Sequence, residues 1–217
     1  MSAPPHAPRI LLTAFDAYAD GACFYGENAS RLAVERVAAE PPAGVHLATR
    51  IYSVEFATIR RQVEQDVARG FDAILLTGQS PSSALPRLEM RARNFGFDHQ
   101  GTACGFLLAG DGEASIETTL FSPSLLAALA EQGHETLESD DAGDFLCNAA
   151  LYFALLGARR RWGAGMGEQL TRVGFVHLPL TPQQAAPGGP CMVTEAAAAC
   201  LRAILQAATR EDGARGV

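Results

Sequence analysis

Apolar strand-like runs alternate with helix-like segments through the first part of the chain. The strand-like runs are RILLTAF (9–15), VHLATRIYSV (45–54) and FDAILLTG (71–78). Between them, ASRLAVERVAAE and FATIRRQVEQDVARG carry apolar residues at helical spacing, and the second segment ends at Gly70. This βαβαβ order is typical of a parallel sheet covered by helices on both faces, because each crossover helix packs back onto the sheet.

The rest of the chain continues this pattern less regularly. LEMRARNF and TACGFLLAG, between residues 86 and 118, predict strands that pair antiparallel. Helices are predicted for SPSLLAALAEQG (122–133), for the segment ending near Gly157, and for the Ala-rich segment that Thr194 caps. TRVGFVHLPL (171–180) predicts another strand. We therefore predict an α/β fold: a three-layer sandwich with a mixed, mostly parallel, twisted sheet and helices on both faces.

Composition excludes several classes of protein. Hydrophobic residues make up 48% of the 217 and charged residues 19%, so the chain can bury a large core. With no repeat or long linker, we expect one domain over residues 1–217, of which 1–8 form a flexible tail. A net charge of −7 without a basic patch argues against nucleic acid. No apolar run approaches a membrane span and no signal peptide is evident, so we expect a cytoplasmic protein without membrane contact.

Cys147 is a candidate nucleophile in DAGDFLCNAALYF, at the start of a predicted helix. Asp144 is a candidate N-cap, which would put Cys147 in the first helical turn. There the helix dipole and free backbone N–H groups favour a thiolate and can stabilise an oxyanion. The alternative is a small buried core residue, the usual fate of a free cysteine. The five cysteines form no CxxC pair and no Cys/His cluster with zinc spacing, so we expect free thiols and no metal site.

The remaining candidates are polar residues in or after strands. His177 lies near the carboxyl end of an apolar strand, where ligand sites of parallel sheets gather, although a satisfied core histidine is the common alternative. Glu89 lies inside a strand-like stretch and could orient an imidazole, or it could be solvated and paired with Arg87 or Arg91. Gln79 directly follows a strand and offers a donor and an acceptor to a substrate amide, although polar loop residues are common there.

Four segments, taken in order, carry a family resemblance. ILLTAFDAYADG with ENAS resembles an opening Thr-Gly-Phe-x-Pro-Phe-Gly-Gly strand and loop followed by Asn-Pro-Ser. LLTGQSPSSALPRLEMRARN resembles a Gly-Gln segment followed, ten residues after the glutamine, by Glu-Arg-Val-Ala-x-Asn. AGDFLCNAALYF resembles Ala-Gly-x-(Tyr/Phe)-(Val/Leu)-Cys-Asn, and GFVHLPLTPQQ resembles Gly-Phe-(Ile/Val)-His-(Val/Leu)-Pro-x-x-Pro-x-Gln. These motifs are those of pyroglutamyl peptidase I, a cysteine peptidase family also called pyrrolidone-carboxylate peptidase, which the chain resembles over most of its length.

The resemblance implies a catalytic triad, with Cys147 as nucleophile, His177 as acid and base, and Glu89 as the group that orients the imidazole. The substrate-binding residues that it implies are Gln79, Phe15, Tyr18, Phe145 and Leu146. The implied activity is removal of an N-terminal pyroglutamyl residue from small peptides through a thioester, with no metal or organic cofactor. The family forms dimers or tetramers, so the resemblance also implies a homo-oligomer.

The opening loop departs from the family pattern. It lacks the proline and both glycines, and Tyr18 brings a hydroxyl to a position that is otherwise apolar. One alternative is therefore a cysteine amidase of the same fold with altered substrate specificity, and another is a catalytically inactive binding homologue. A third alternative, a nucleotide-binding flavodoxin-like domain, is weakened by the lack of a phosphate-binding loop.

Overall fold

The computed structural model describes residues 7–20, 23–98, 105–167 and 169–214. Within these ranges the strands are β1 (Arg9–Phe15), β2 (Tyr18–Asp20), β3 (Cys23–Tyr25), β4 (His46–Tyr52), β5 (Ala73–Ser80), β6 (Arg87–Glu89), β7 (Arg91–Arg93), β8 (Gly96–Phe97), β9 (Gly105–Phe106), β10 (Ser115–Glu117), β11 (Leu137–Ser139) and β12 (Arg172–Pro179). The helices are α1 (Ala29–Ala39), α2 (Phe56–Ala68), α3 (Pro123–Glu131), α4 (Leu146–Gly163) and α5 (Thr194–Ala214).

A six-stranded sheet in the order β11-β6-β12-β5-β1-β4 forms the middle layer. The strands β4, β1, β5 and β12 are parallel, whereas β6 pairs antiparallel with β12 and β11 runs parallel to β6. The remaining strands form two-stranded ribbons, β2 with β3, β7 with β10 and β8 with β9. The prediction of a mixed, mostly parallel sheet is confirmed.

The alternation of side chains along the buried strands divides the core into two layers. In β1, Leu11 and Phe15 pack on one face of the sheet, and Ile10, Leu12 and Ala14 pack on the other. The first face is covered by α2 and α4, and the second by α1, α3 and α5. Helices therefore cover both faces, as the βαβαβ order predicts.

The structure corrects the prediction in three places. LEMRARNF is not one strand, because Met90 separates β6, which joins the main sheet, from β7, which pairs with β10. The predicted pairing of LEMRARNF with TACGFLLAG is therefore wrong, and β9, which lies within TACGFLLAG, pairs with β8. The sequence pattern did not indicate β11, a largely exposed edge strand without apolar alternation. Helix α4 also continues beyond Gly157 to Gly163. Gly157 lies inside the helix and faces Val67 of α2, which is 3.4 Å from the position that a Cβ would occupy, an ordinary packing distance.

Two further expectations concern the number of domains and contact with a membrane. The single-domain assignment stays a prediction, and residues 1–6 of the expected tail lie outside the described ranges. Across the described ranges, no helix combines the length and the apolar character needed to cross a membrane.

The carboxyl ends of the central parallel strands lie at one edge of the sheet. Phe15 ends β1, Gln79 lies in the last residues of β5, and His177 lies in the last residues of β12. Helix α4, which carries Cys147, packs on the same face of the sheet as Phe175. The fold thus brings residues that are far apart in the sequence to one place.

Candidate active site

Cys147 lies in the first turn of α4, as the sequence predicts, although the residue that begins the helix is different. Phe145 is the N-cap and its side chain makes no capping hydrogen bond, so Asp144 is not the N-cap that the sequence predicts. Asp144 instead accepts a hydrogen bond from the backbone N–H of Phe97 through its carbonyl oxygen, at 2.7 Å, which holds it outside the helix. A phenylalanine N-cap has no side-chain acceptor for the first-turn N–H groups, and such groups can donate to an oxyanion.

Gly78 lets the sulfur of Cys147 lie directly on the sheet. A Cβ atom at Gly78 would lie 2.8 Å from Cys147 Sγ and 2.9 Å from Phe175 Cζ, both closer than real Cβ contacts allow. Gly78 is paired with His177 in the register between β5 and β12. The glycine therefore leaves space for the sulfur beside the histidine, a role that the sequence analysis did not identify.

His177 connects the cysteine with the glutamate. Its Nδ1 lies 2.7 Å from Glu89 Oε1, and its ring packs on Phe175 with centroids 4.8 Å apart. Because a carboxylate can only accept, Nδ1 carries the donated proton, and Nε2 is the nitrogen left for the hydrogen bond with the Cys147 side chain. The three predicted triad residues therefore form one continuous series of contacts.

Opposing effects act on the pKa of His177. Burial lowers this pKa, since only 5% of the residue is exposed. The charge of Cys147 and its hydrogen bond, followed by the hydrogen bond and charge of Glu89, raise it by more, to about 9. The imidazole next to the sulfur is therefore protonated at neutral pH.

Glu89 is fully buried, with 0% of its surface exposed, so it is not the solvated glutamate of the alternative interpretation. It lies opposite Phe175 in the antiparallel register of β6 and β12. Arg91 pairs instead with Asp140, at 3.1 Å. A buried carboxylate requires partners, and its partners here are the imidazole of His177 and, at 3.3 Å, the guanidinium of Arg87.

A small cavity of about 40 Å³ adjoins the sulfur. It is lined by Phe15, Tyr18, Asn28, Val54, Gln79, Phe145, Leu146 and Cys147. All five predicted substrate-binding residues thus lie together around the predicted nucleophile. Asn28 and Val54 were not identified from the sequence, because nothing in a loop composition indicates which residues will face a cavity formed by distant segments.

The amide of Gln79 is held in one orientation. Its Oε1 accepts from the Ala29 backbone N–H at 2.8 Å and from Gln184 Nε2 at 3.1 Å. Gln184 is itself fixed, because its Oε1 accepts from the backbone N–H of Thr181 and its Nε2 also donates to the carbonyl of Glu27. Gln79 is 8% exposed, and its Nε2 has no partner among the described residues. The wall of the cavity thus contains a buried donor that a ligand carbonyl would satisfy.

Asn148, the residue after the cysteine, anchors the start of α4 to the chain that follows Glu89. Its Oδ1 accepts from Arg93 N at 2.8 Å, and its Nδ2 donates to the carbonyls of Arg93 and Phe95 at 2.9 and 2.7 Å. It is buried, so these bonds replace its hydration. In the Cys-Asn pair, the candidate nucleophile is therefore followed directly by a residue that fixes the position of the helix start.

Neither Cys191 nor Cys200 lines the cavity beside Cys147. Cys200 is buried in the layer of α5, and burial raises the pKa of its thiol to about 12. Cys191 is a half-buried free thiol. Cys104 lies outside the described residues, as do His6 and His99.

Comparison with known proteins agrees with the geometry. A family model described as pyroglutamyl peptidase matches residues 8–211. The pyrrolidone-carboxylate peptidase of Streptomyces coelicolor is 29% identical over 93% of this chain and 92% of its own length. That of Chromobacterium violaceum is 30% identical, over 89% of each chain.

Solved structures share the fold. The pyroglutamyl peptidase I from Bacillus amyloliquefaciens superimposes with a TM-score of 0.81 at 21% identity, covering 93% of this chain and 95% of its own. The pyrrolidone carboxyl peptidase from Thermococcus litoralis gives 0.83 at 17% identity, with 96% of each chain covered. Since the family model covers nearly the whole chain, this protein belongs to the pyroglutamyl peptidase family.

Proposed function

We propose that this protein is a cysteine peptidase that removes an N-terminal pyroglutamyl residue from peptides through a thioester intermediate. The observation that carries the proposal is the series of contacts from Cys147 through His177 to Glu89. It lies next to a cavity whose wall contains a donor without a partner among the residues that the structure describes. A nucleophile, a base and an orienting carboxylate in hydrogen-bond contact are what acyl transfer requires.

The side chains that line the cavity suit a pyrrolidone ring, which is small, planar and neutral, and they must move apart to admit it, because the cavity has a volume of only about 40 Å³. Phe15, Tyr18 and Phe145 supply aromatic surface to its faces. The lactam carbonyl would accept a hydrogen bond from Gln79 Nε2, a buried donor that has no partner within the described part of the chain. A ring without this carbonyl would leave the donor unsatisfied, so the pocket would discriminate against proline.

The proposed reaction begins with attack of the Cys147 thiolate on the carbonyl carbon of the scissile amide. The first-turn N–H groups of α4 receive the oxyanion, and the protonated His177 gives its proton to the departing amine. The C–N bond of the amide breaks, which leaves the pyroglutamyl group on Cys147 as a thioester and releases the rest of the peptide with a free amino terminus. Neither a metal nor an organic cofactor enters these steps.

Acylation then prepares His177 for the second half of the reaction. The charge of the Cys147 side chain is a main cause of the raised pKa of His177, and a thioester sulfur carries no charge. The pKa of His177 therefore falls in the acyl-enzyme, and the neutral ring can accept a proton from water as that water attacks the thioester. Glu89 holds the ring through Nδ1 during both steps.

Hydrolysis of pyroglutamyl-aminocoumarin by the purified protein tests the proposal. We expect Cys147→Ala to lower kcat/KM by at least about 10³-fold while the fold is retained, because the nucleophile is lost. Cys191→Ala is the matched control, since it removes another half-buried free thiol, and it should keep its activity and its sensitivity to iodoacetamide. Full activity in the Cys147→Ala protein would refute the assignment.

A second candidate function is a cysteine amidase of the same family with a different acyl preference. The observation that favours it is Tyr18, whose side chain lines the cavity in place of an apolar residue. Prolyl- and N-acetylalanyl-aminocoumarin distinguish the two functions. Faster turnover of either than of the pyroglutamyl substrate would support the amidase.

A further inference from the structure

Arg87 places a positive charge next to the Glu89–His177 pair. It lies on β6, opposite His177 in the register with β12. Its Nη2 is 3.3 Å from Glu89 Oε1 and 3.5 Å from His177 Nδ1, and its Nη1 donates to Ser82 Oγ at 3.0 Å. The side chain is 24% exposed, so solvent only partly screens this charge.

The approach of Arg87 to the imidazole is electrostatic. Nδ1 of His177 already donates its proton to Glu89 at 2.7 Å, and a guanidinium has no acceptor, so the 3.5 Å contact joins two donors. Such a contact persists because both donors share the Glu89 carboxylate. It also means that the guanidinium opposes a positive charge on the ring.

We infer that Arg87 is a positioning residue whose permanent charge balances the buried Glu89 carboxylate and so makes His177 readier to release its proton. This inference rests on the proposed function, in which His177 must be protonated in one half-reaction and neutral in the other. Without Arg87, the departure of the imidazole proton would leave a fully buried carboxylate without a countercharge. With Arg87 in place, the carboxylate keeps one cation at every stage.

Within the described ranges, the ionisable groups that contact His177 come from two elements. Glu89 and Arg87 approach from β6, and Cys147 approaches from α4. On the other side, β5 presents Gly78, which has no side chain. Cys147 and Glu89 both favour the charged ring, so Arg87 is the neighbour that works against them. Removal of its charge should therefore shift the release of the His177 proton to higher pH.

The pH dependence of kcat/KM is the first test. Its basic limb reports loss of the His177 proton in the free enzyme, near the pKa of about 9. We expect Arg87→Met and Arg87→Gln to move this limb upward by on the order of one pH unit. Arg87→Lys keeps the charge and should leave most of the limb in place. Arg91→Met is the matched control, because it removes an arginine paired with Asp140 and should not move the limb.

A second readout is independent of turnover. Cys147 alkylated with iodoacetamide mimics the uncharged sulfur of the thioester, and NMR titration of labelled histidine then gives the pKa of His177, assigned by its absence in His177→Gln. We expect the neutral Arg87 variants to show a higher pKa than the unsubstituted protein, again by on the order of one unit.

These measurements separate the inference from the proposed function. An unchanged limb and an unchanged titration in a folded Arg87→Met or Arg87→Gln protein would overturn the inference, even if activity and thermal stability fell. If the unsubstituted protein does not cleave the pyroglutamyl substrate, the proposed function fails, and the titration alone still decides the role of Arg87. The two neutral variants differ in polarity, and Gln retains a donor for Ser82, so a folding defect in one does not end the test.

Discussion

Replacement of Gly78 by alanine tests how closely the cysteine sulfur must lie to the sheet. The added Cβ would be 2.8 Å from Cys147 Sγ and 2.9 Å from Phe175 Cζ. Gly78 lies within β5 and does not have a left-handed φ, so alanine introduces no backbone strain there. The effect of the substitution is therefore a steric displacement of these two neighbours.

The expected loss follows from the size of this displacement. Non-bonded carbon atoms prefer separations of about 3.5–4.0 Å and sulfur is larger, so a contact of 2.8 Å requires a shift of roughly 0.7 Å or more. The Phe175 ring is fully buried and packs on His177, so movement of the ring would disturb the imidazole as well. A misplacement near 1 Å costs about 10²-fold in rate, and we expect kcat/KM to fall by about that factor. The overpacking should also lower the free energy of unfolding by about 1–3 kcal/mol.

Gly174→Ala is the matched control for Gly78→Ala. Its Cβ would lie 2.8 Å from Phe121 Cζ and 3.0 Å from Leu120 Cβ, a similar clash in the other core layer. We expect a comparable loss of stability in urea denaturation but nearly unchanged kcat/KM with pyroglutamyl-aminocoumarin at a temperature where both variants are folded. Equal activity losses in the two variants, or full activity in Gly78→Ala, would refute the steric argument.

Two further predictions concern residues that do not line the cavity but fix the positions of residues that do. Gln184→Leu removes a donor that orients the Gln79 amide. The KM for the pyroglutamyl substrate should therefore rise about tenfold with little change in kcat. The control Gln183→Leu replaces an exposed neighbour and should change neither constant. Asn148→Ala removes three buried hydrogen bonds to residues 93–95. The free energy of unfolding measured by urea denaturation should therefore fall by about 3 kcal/mol. An unchanged urea midpoint would contradict the anchoring role of Asn148.

The central strands and the helices could be predicted because burial produces patterns that one segment displays alone. β1, β5 and β12 are continuous apolar runs, as expected for parallel strands covered on both faces. β11 could not be predicted in this way. It is a three-residue edge strand, largely exposed, and its pairing with β6 depends on backbone hydrogen bonds that leave no apolar pattern.

The sequence predicts those residues of the candidate site whose side-chain type itself carries the chemistry. It does not predict residues that act through an atom they lack or through another residue. Cys147 and His177 were singled out because a thiol and an imidazole have few roles near a helix start and a strand end. Gly78 acts through the Cβ that it lacks, and Gln184 acts only through Gln79. Neither role is visible until the partner residue is placed in space.

The reversed direction of β6 explains how one imidazole can have two different partners. An imidazole has nitrogens on different edges of its ring, so its partners must approach from different directions. Because β6 runs antiparallel to β12, Glu89 lies opposite Phe175, deeper in the sheet than His177, and its carboxylate reaches Nδ1 from the buried side. Helix α4 brings Cys147 from the layer above the sheet to the remaining nitrogen. The same reversal puts Arg87 opposite His177, so the strand that buries the carboxylate also supplies its countercharge.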